Sequence, residues 1–200
     1  MRPELLARLT VALFIVAALA VACSDGDDGD GEPSERGDWT VDDAREFEDF
    51  AVLWAGQEFQ GIELERVIRH RTPEGTLVPE DLMLFMYGTC DPGPQEGCAV
   101  PLSISNENCR VSQSPVPPAG APFFRGGGVI ADGGEDATVV WTADVRVKIY
   151  AGDAELRQAA AAALVALNGR GPAEPSEPLP ILEPACAPPI APTGRPTSAQ

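Results

Sequence analysis

The chain has 200 residues, enough for one domain of ordinary size, and a formal net charge of −17 from 31 acidic and 14 basic residues. That balance repels nucleic-acid phosphates and anionic lipid surfaces, which excludes nonspecific binding to either. Its 20 glycines and 20 prolines assign much of the chain to loops and tails.

Residues 1–22 read as a signal peptide. Arg2 and Arg8 precede the apolar run LTVALFIVAALAVA, Leu9 to Ala22. As a helix this run rises about 21 Å, short of a bilayer core of about 30 Å. It closes on AVAC, Ala20 to Cys23, which resembles a bacterial lipobox. The resemblance implies cleavage before Cys23 and lipidation of its thiol with palmitate-type chains. A membrane partner reached through that anchor follows, with the domain on the extracellular or periplasmic side. Residues 23–39 continue as the anchored cysteine and an acidic tether. SDGDDGDGEPSERGD has no apolar side chain apart from one proline, a composition expected to stay disordered and extended. It does not fit a calcium loop, because Pro33 stands where that pattern needs glycine.

The globular domain is expected over residues 40–168. Thr40 caps a helix, VDDAREFEDF, whose acids suit the positive end of the helix dipole. Strands are expected at Phe50–Gly56, Leu64–Arg71, Leu82–Tyr87 and Ala99–Ser105 from short apolar or alternating runs. Pro115–Gly134 reads as loop, with a short buried segment at Phe123–Phe124. TVVWTADVRVKIY, Thr138 to Tyr150, reads as a hairpin around Thr-Ala-Asp. In its second half Val145, Val147 and Ile149 share one face, while Arg146, Lys148 and Tyr150 share the other. Asp153 then caps a helix that runs to Asn168-Gly169 and bears Leu156, Ala160, Ala163, Leu164 and Leu167 as an apolar stripe. Residues 169–200 are rich in proline and are expected to run as an extended tail.

With Cys23 carrying lipid, Cys90, Cys98, Cys109 and Cys186 remain, and an even number outside the cytoplasm points to two disulfides. Three pairings are possible. Asp91-Pro92-Gly93 is a strong turn that brings Cys90 to Cys98, which favours Cys90–Cys98 and leaves Cys109–Cys186 to strap the tail to the body. The cysteine spacings lack the tight pairs of zinc sites and His70 is the only histidine, so no metal site and no cofactor is expected.

Four segments, WAGQEFQGIELERVIR, LMLFMYGTC, GCAVPLSI and VRVKIYAGDAELRQAAAAALVALNG, follow in an order similar to that of small uncharacterised lipoproteins of actinobacterial type. The resemblance spans about Leu53 to Gly169. It implies an anchored extracytoplasmic α+β domain with a cysteine-closed loop, and it supplies no catalytic residues.

Motifs of known chemistry are missing. There is no G-x-S-x-G nucleophile elbow, and RGGGVIADGG lacks the Lys-Ser/Thr of a phosphate loop and reads as a flexible connection. The acid pairs Asp42–Asp43 and Glu135–Asp136 lie in polar stretches that would leave them ionised. The unusual local feature is RVIRHR, a basic cluster in an acidic chain. Arg66, Arg69, His70 and Arg71 form a candidate site for an anionic ligand, or pair with the chain's own acids. On a strand, Arg69 and Arg71 fall with Val67, and His70 falls with Ile68 and Leu64.

The fold expected is α+β, a single antiparallel sheet with a C-terminal helix packed on it between a disordered N-terminal segment and a proline-rich C-terminal one. The function expected is that of a monomeric, lipid-anchored cell-envelope protein with a noncatalytic binding or structural role toward an unknown protein or small molecule. The alternative is a small envelope hydrolase using His70 and acidic residues.

Overall fold

The computed structural model describes residues 35–73, 76–77, 79–89, 91–92, 98–112, 116–134, 136–183 and 186. The signal-peptide and lipid-anchor segment and the Cys90–Cys98 pairing lie outside the described residues.

In chain order the elements are β1 (Glu35–Trp39), α1 (Val41–Glu46), β2 (Leu53–Trp54), β3 (Glu58–Phe59), β4 (Ile62–Arg71), β5 (Asp81–Tyr87), β6 (Asp91–Pro92) and β7 (Cys98–Ala99). They continue with β8 (Leu102–Asn108), β9 (Phe123–Phe124), β10 (Gly128–Asp132), β11 (Ala137–Thr142), β12 (Val145–Tyr150), α2 (Ala154–Ala163) and β13 (Val165–Ala166). A nine-stranded sheet dominates, in the order β1-β4-β5-β8-β12-β11-β10-β9 with β3 also paired to β4. Every pairing within it is antiparallel.

This overturns the α+β expectation of one sheet with a C-terminal helix on it. The domain is mostly β, with two short helices among the described residues. The physical reasons lie in three places. Glu35–Trp39, which composition assigned to the tether, forms β1 because β4 extends far enough to pair with all five residues. The glycine-rich stretch assigned to loop supplies β9 and β10. The second helix ends early, at Ala163, where Leu164 leaves helical geometry and the chain enters β13 beside β2.

Both helices start as capping rules require. Thr40 and Asp43 form a reciprocal capping box. The Thr40 hydrogen bonds hold the exposed Asp43 carboxyl below its usual range. Asp153 accepts from the Glu155 N–H at 2.8 Å. The first helix stops at Glu46 rather than Phe50, because Phe47 turns extended and the chain dives into the core.

Partnered residues of an antiparallel pair share a face. One face carries Val67, Met83, Phe85, Tyr87, Leu102, Ile104, Val140, Val145, Val147 and Ile149, all buried. It is covered by Phe50–Leu53, by Ala160, Ala161, Leu164 and Leu167 around the second helix, and by Leu179 from the tail. The β4–β5 register slips between Leu64 and Arg66, so Leu64 pairs with Tyr87 and packs on this core face, not with Ile68 as plain alternation predicts.

The segment expected as a strand over Phe50–Gly56 pairs as a strand only at Leu53–Trp54. Elsewhere side chains take the place of a neighbouring strand. The Ala51 N–H donates to Asp144, Val52 N–H to Asn168, Leu53 N–H to Asn106 and Ala55 N–H to the Tyr87 hydroxyl, at 2.8 to 3.2 Å. Asn168 also donates to the Phe47 and Phe50 carbonyls at 2.8 Å.

The tail is strapped as expected by the Cys109–Cys186 disulfide. Before it, the Leu179 N–H donates to Arg125, the Thr142 hydroxyl to the Pro180 carbonyl and the Glu183 N–H to Ala143. The strap runs so close to the glycine-rich segment that a Cβ on Gly127 would lie 2.6 Å from the Leu179 carbonyl oxygen. RGGG is therefore a packing surface as well as a connection. Phe123, expected to be buried, is 82% exposed at the sheet edge, and Phe124 is half-buried.

Candidate functional site

The second face of the large sheet is built by the alternate residues of the same strands. Register places Ile68, Leu84, Ser105, Lys148 and Val139 in one row across it. The next row is His70, Leu82, Glu107, Arg146 and Trp141. At the centre sits a charged cluster. The Glu107 carboxylate accepts from Arg146 Nε at 2.9 Å and from Arg146 Nη2 through one oxygen, and pairs with Lys148 Nζ at 2.8 Å through the other. Glu107 and Arg146 are buried, and about a quarter of the Lys148 side chain is exposed. These three side chains together carry one positive charge in excess, within a chain of net charge −17.

Burying charges costs desolvation free energy that their mutual attraction offsets only with good hydrogen bonding. A fold needing stability alone is served as well by apolar residues at these positions. Buried Trp141 lies directly across from Arg146, and half-buried Leu82, Leu84 and Met86 border the cluster on the β5 side. This face thus joins apolar residues to a buried Arg146 and a partly exposed Lys148.

The sequence-derived candidates are dispersed. Arg66 lies on this second face at the β1 side and pairs with Asp38 at 2.5 Å, both exposed. His70 lies on the same face, its Nε2 3.4 Å from a Glu80 oxygen, while its buried Nδ1 has no partner among the described residues. Arg69 points into the core face. It pairs with Asp81, donates to the Leu82 carbonyl at 2.8 Å, and lies 4.9 Å from the Phe47 ring centroid and 5.6 Å from that of Phe50. Arg71 is exposed at the end of β4. The four do not converge on one point, because strand alternation sends neighbours to opposite faces.

Sequence reading missed Glu107. The signal was present: Ser103, Ser105 and Glu107 alternate with Leu102, Ile104 and Asn106 and share the face of Arg146 and Lys148 already recognised. The expected strand stopped at Ser105, one turn of the alternation too early.

Two grooves lie among the described residues elsewhere on the molecule. One, of about 350 Å³, lies between Trp39, Thr40, Gln57 and Leu64 near the Arg66–Asp38 pair. The other, of about 700 Å³, is lined by Gly126, Gly127, Pro172, Glu177 and Leu179 beside the tail strap. Among the described residues no group of three or more His, Cys, Asp or Glu side chains is placed to hold a metal ion. No family model, no curated protein and no solved structure matches this chain.

Proposed function

We propose that the protein is a lipid-anchored extracytoplasmic binding module, and that its ligand surface is the second face of the large sheet, centred on Glu107, Arg146 and Lys148. The anchor rests on Ala20–Cys23 and the apolar run before it, and on the resemblance to small lipoproteins. The observation that carries the binding role is the difference between the faces. The core face is filled by aliphatic and aromatic side chains, whereas the other buries a charged cluster beside Ile68, Val139 and Trp141 and presents Lys148 and half-buried Leu82, Leu84 and Met86 at its exposed margin. Such a surface suits a partner that presents a carboxylate next to an apolar group.

Lys148 is the only lysine in the chain, so amine-directed chemistry on its side chains reports this site alone. On intact cells, an amine-to-carboxyl crosslinker is expected to join Lys148 to one recurrent partner. Lys148→Arg keeps a cation opposite Glu107 and should abolish the adduct. Wild-type protein that carries only hydrolysed reagent at Lys148 would refute the ligand surface. Wild-type protein that is unlipidated and free of the membrane would refute the anchor separately.

A further inference from the structure

We propose that the outer edge of β1 is a self-association surface, on which a second copy of this chain lays its own β1 antiparallel about a two-fold axis through Gly37. The sequence expectation was a monomer. The inference is independent of the ligand surface, which occupies the sheet's face and not its edge.

Among the described residues β1 ends the sheet order, and its five residues pair with β4 on one side only. The backbone groups of an edge strand form a ready template for another strand. Edges are commonly guarded by charged side chains, lysine above all, by proline, by a bulge or by extreme shortness; β1 does carry charges, but of both signs. At the opposite end of the sheet, β9 has two residues, follows Pro122 and precedes Gly126, which bridges to Leu179 of the tail strap. β1 has no proline and no lysine, and its register with β4 runs without a slip from Glu35↔Arg71 to Trp39↔Val67.

Its sequence also selects one register. Glu-Arg-Gly-Asp-Trp paired with itself about Gly37 sets Arg36 opposite Asp38 of the other copy, twice. Slipped one way, Glu35 meets Asp38; slipped further, Arg36 meets Arg36. Slipped the other way, Asp38 comes to face Asp38 at the second step. Like charges directly opposite are unfavourable and opposite charges favourable, so the centred register is the one with charge complementarity. Asp38 is exposed and engages Arg66 of its own chain through Oδ1, so in the dimer it would sit between two guanidinium groups, and the glycine at the axis lets two backbones meet without side-chain obstruction. A strand pair of this length buries little surface, so the contact is weak in dilute solution and strengthens where two copies share one membrane.

Directly opposed residues hold their Cβ atoms about 4.5–5.5 Å apart, within reach of a disulfide after small adjustment. A Cβ at Gly37 meets nothing closer than Trp39 Cδ1 at 4.0 Å, so Gly37→Cys is accommodated. The experiment uses the full chain in membranes, mild oxidation and non-reducing electrophoresis. Gly37→Cys should form a disulfide-linked dimer. Gly152→Cys, at an exposed position with open space around it, should not. In the Gly37→Cys background, Arg36→Asp alone sets acid against acid, and Asp38→Arg alone sets base against base. Each alone should lower crosslinking about tenfold, and coexpression of the two, with different tags, should restore it as a heterodimer. Equal crosslinking at Gly37 and Gly152, or no dimer at Gly37 under conditions that oxidise it with a small thiol, would overturn the proposal. A mixture that crosslinks no better than the single variants would do the same.

Discussion

Asn106 pairs with Leu53 as a strand residue would. Its side-chain amide accepts the Leu53 N–H at 2.8 Å and donates to the Leu53 carbonyl at 2.9 Å. Asn106 is fully buried in the middle of the core face and Leu53 is 1% exposed, so neither backbone group has water as an alternative. Asn106→Leu keeps the volume and removes both bonds. Leaving a buried donor or acceptor unsatisfied costs about 1–3 kcal/mol each, so a loss of about 2–5 kcal/mol is expected from urea unfolding. A loss below about 1 kcal/mol, the worth of one ordinary hydrogen bond, would show that the segment is held by its apolar contacts instead.

That relationship explains where sequence reading stopped. The apolar run Phe50–Gly56 has strand composition, and its burial was legible. Its hydrogen-bond partners were not, because they are single side chains at Asn106, Asp144 and Asn168, far along the chain. The hairpin over residues 138–150 was legible from β-branched alternation alone, and its register runs regularly from Ala137↔Tyr150 to Thr142↔Val145. β1 and β10 were hidden because polar and glycine-rich strands carry no apolar period and owe their existence to the strands they join. Arg146 and Lys148 were placed on the correct face by a two-residue period. Their pairing with Glu107 needed the neighbour order β8–β12, which no local pattern contains.

The Arg69–Asp81 pair is a second polar anchor in the core face. Both side chains are buried, Asn108 donates to the other Asp81 oxygen at 3.0 Å, and the guanidinium stacks over Phe47 and Phe50. Asp81→Asn leaves a buried cation without its counter-charge, and the expected cost is about 3–5 kcal/mol. Replacing both partners, Arg69→Met with Asp81→Leu, removes the desolvation cost along with the attraction. The double variant should be more stable than Asp81→Asn by chemical denaturation. If it is equally unstable, the aromatic stacking of Arg69 outweighs its ion pair.

Tyr87 gives a pH dependence with a defined sign. Its hydroxyl accepts from the Ala55 N–H and donates to the Gly56 carbonyl, both at 3.1 Å. Burial pushes its pKa from 10.0 up to about 12, against a smaller opposing effect of the Ala55 N–H. The unfolded chain then ionises Tyr87 before the folded one does. The stabilisation is complete below pH 10 and is lost as the pH rises toward 12, by about 1.4 kcal/mol per pH unit at most. Tyr87→Phe should be less stable than wild type at pH 8, and the gap should narrow between pH 10 and 12. A gap that stays constant across that window would mean that Tyr87 ionises equally in both states.

The tail strap offers the last test. Cys109 and Cys186 close a loop with a sequence separation of 77. By loop-closure entropy such a bridge is worth roughly 4.5 kcal/mol, most of it through the unfolded chain. The strap also makes native contacts of its own: Leu179 is 2% exposed in the core, and Arg125 donates to the Leu164, Glu174 and Glu177 carbonyls. These two contributions separate by experiment. Cys186→Ser should lower global stability by several kcal/mol while leaving the strap seated in the folded state, because the Leu179 and Arg125 contacts remain. Leu179→Ala with the disulfide intact should instead cost about 2–5 kcal/mol as a buried large-to-small change. It should also speed hydrogen exchange at the Leu179 and Glu183 amides, which donate to Arg125 and Ala143. If Cys186→Ser alone opens those amides in the folded state, then the disulfide holds the strap directly, and the packing of Leu179 on Gly128 is its consequence.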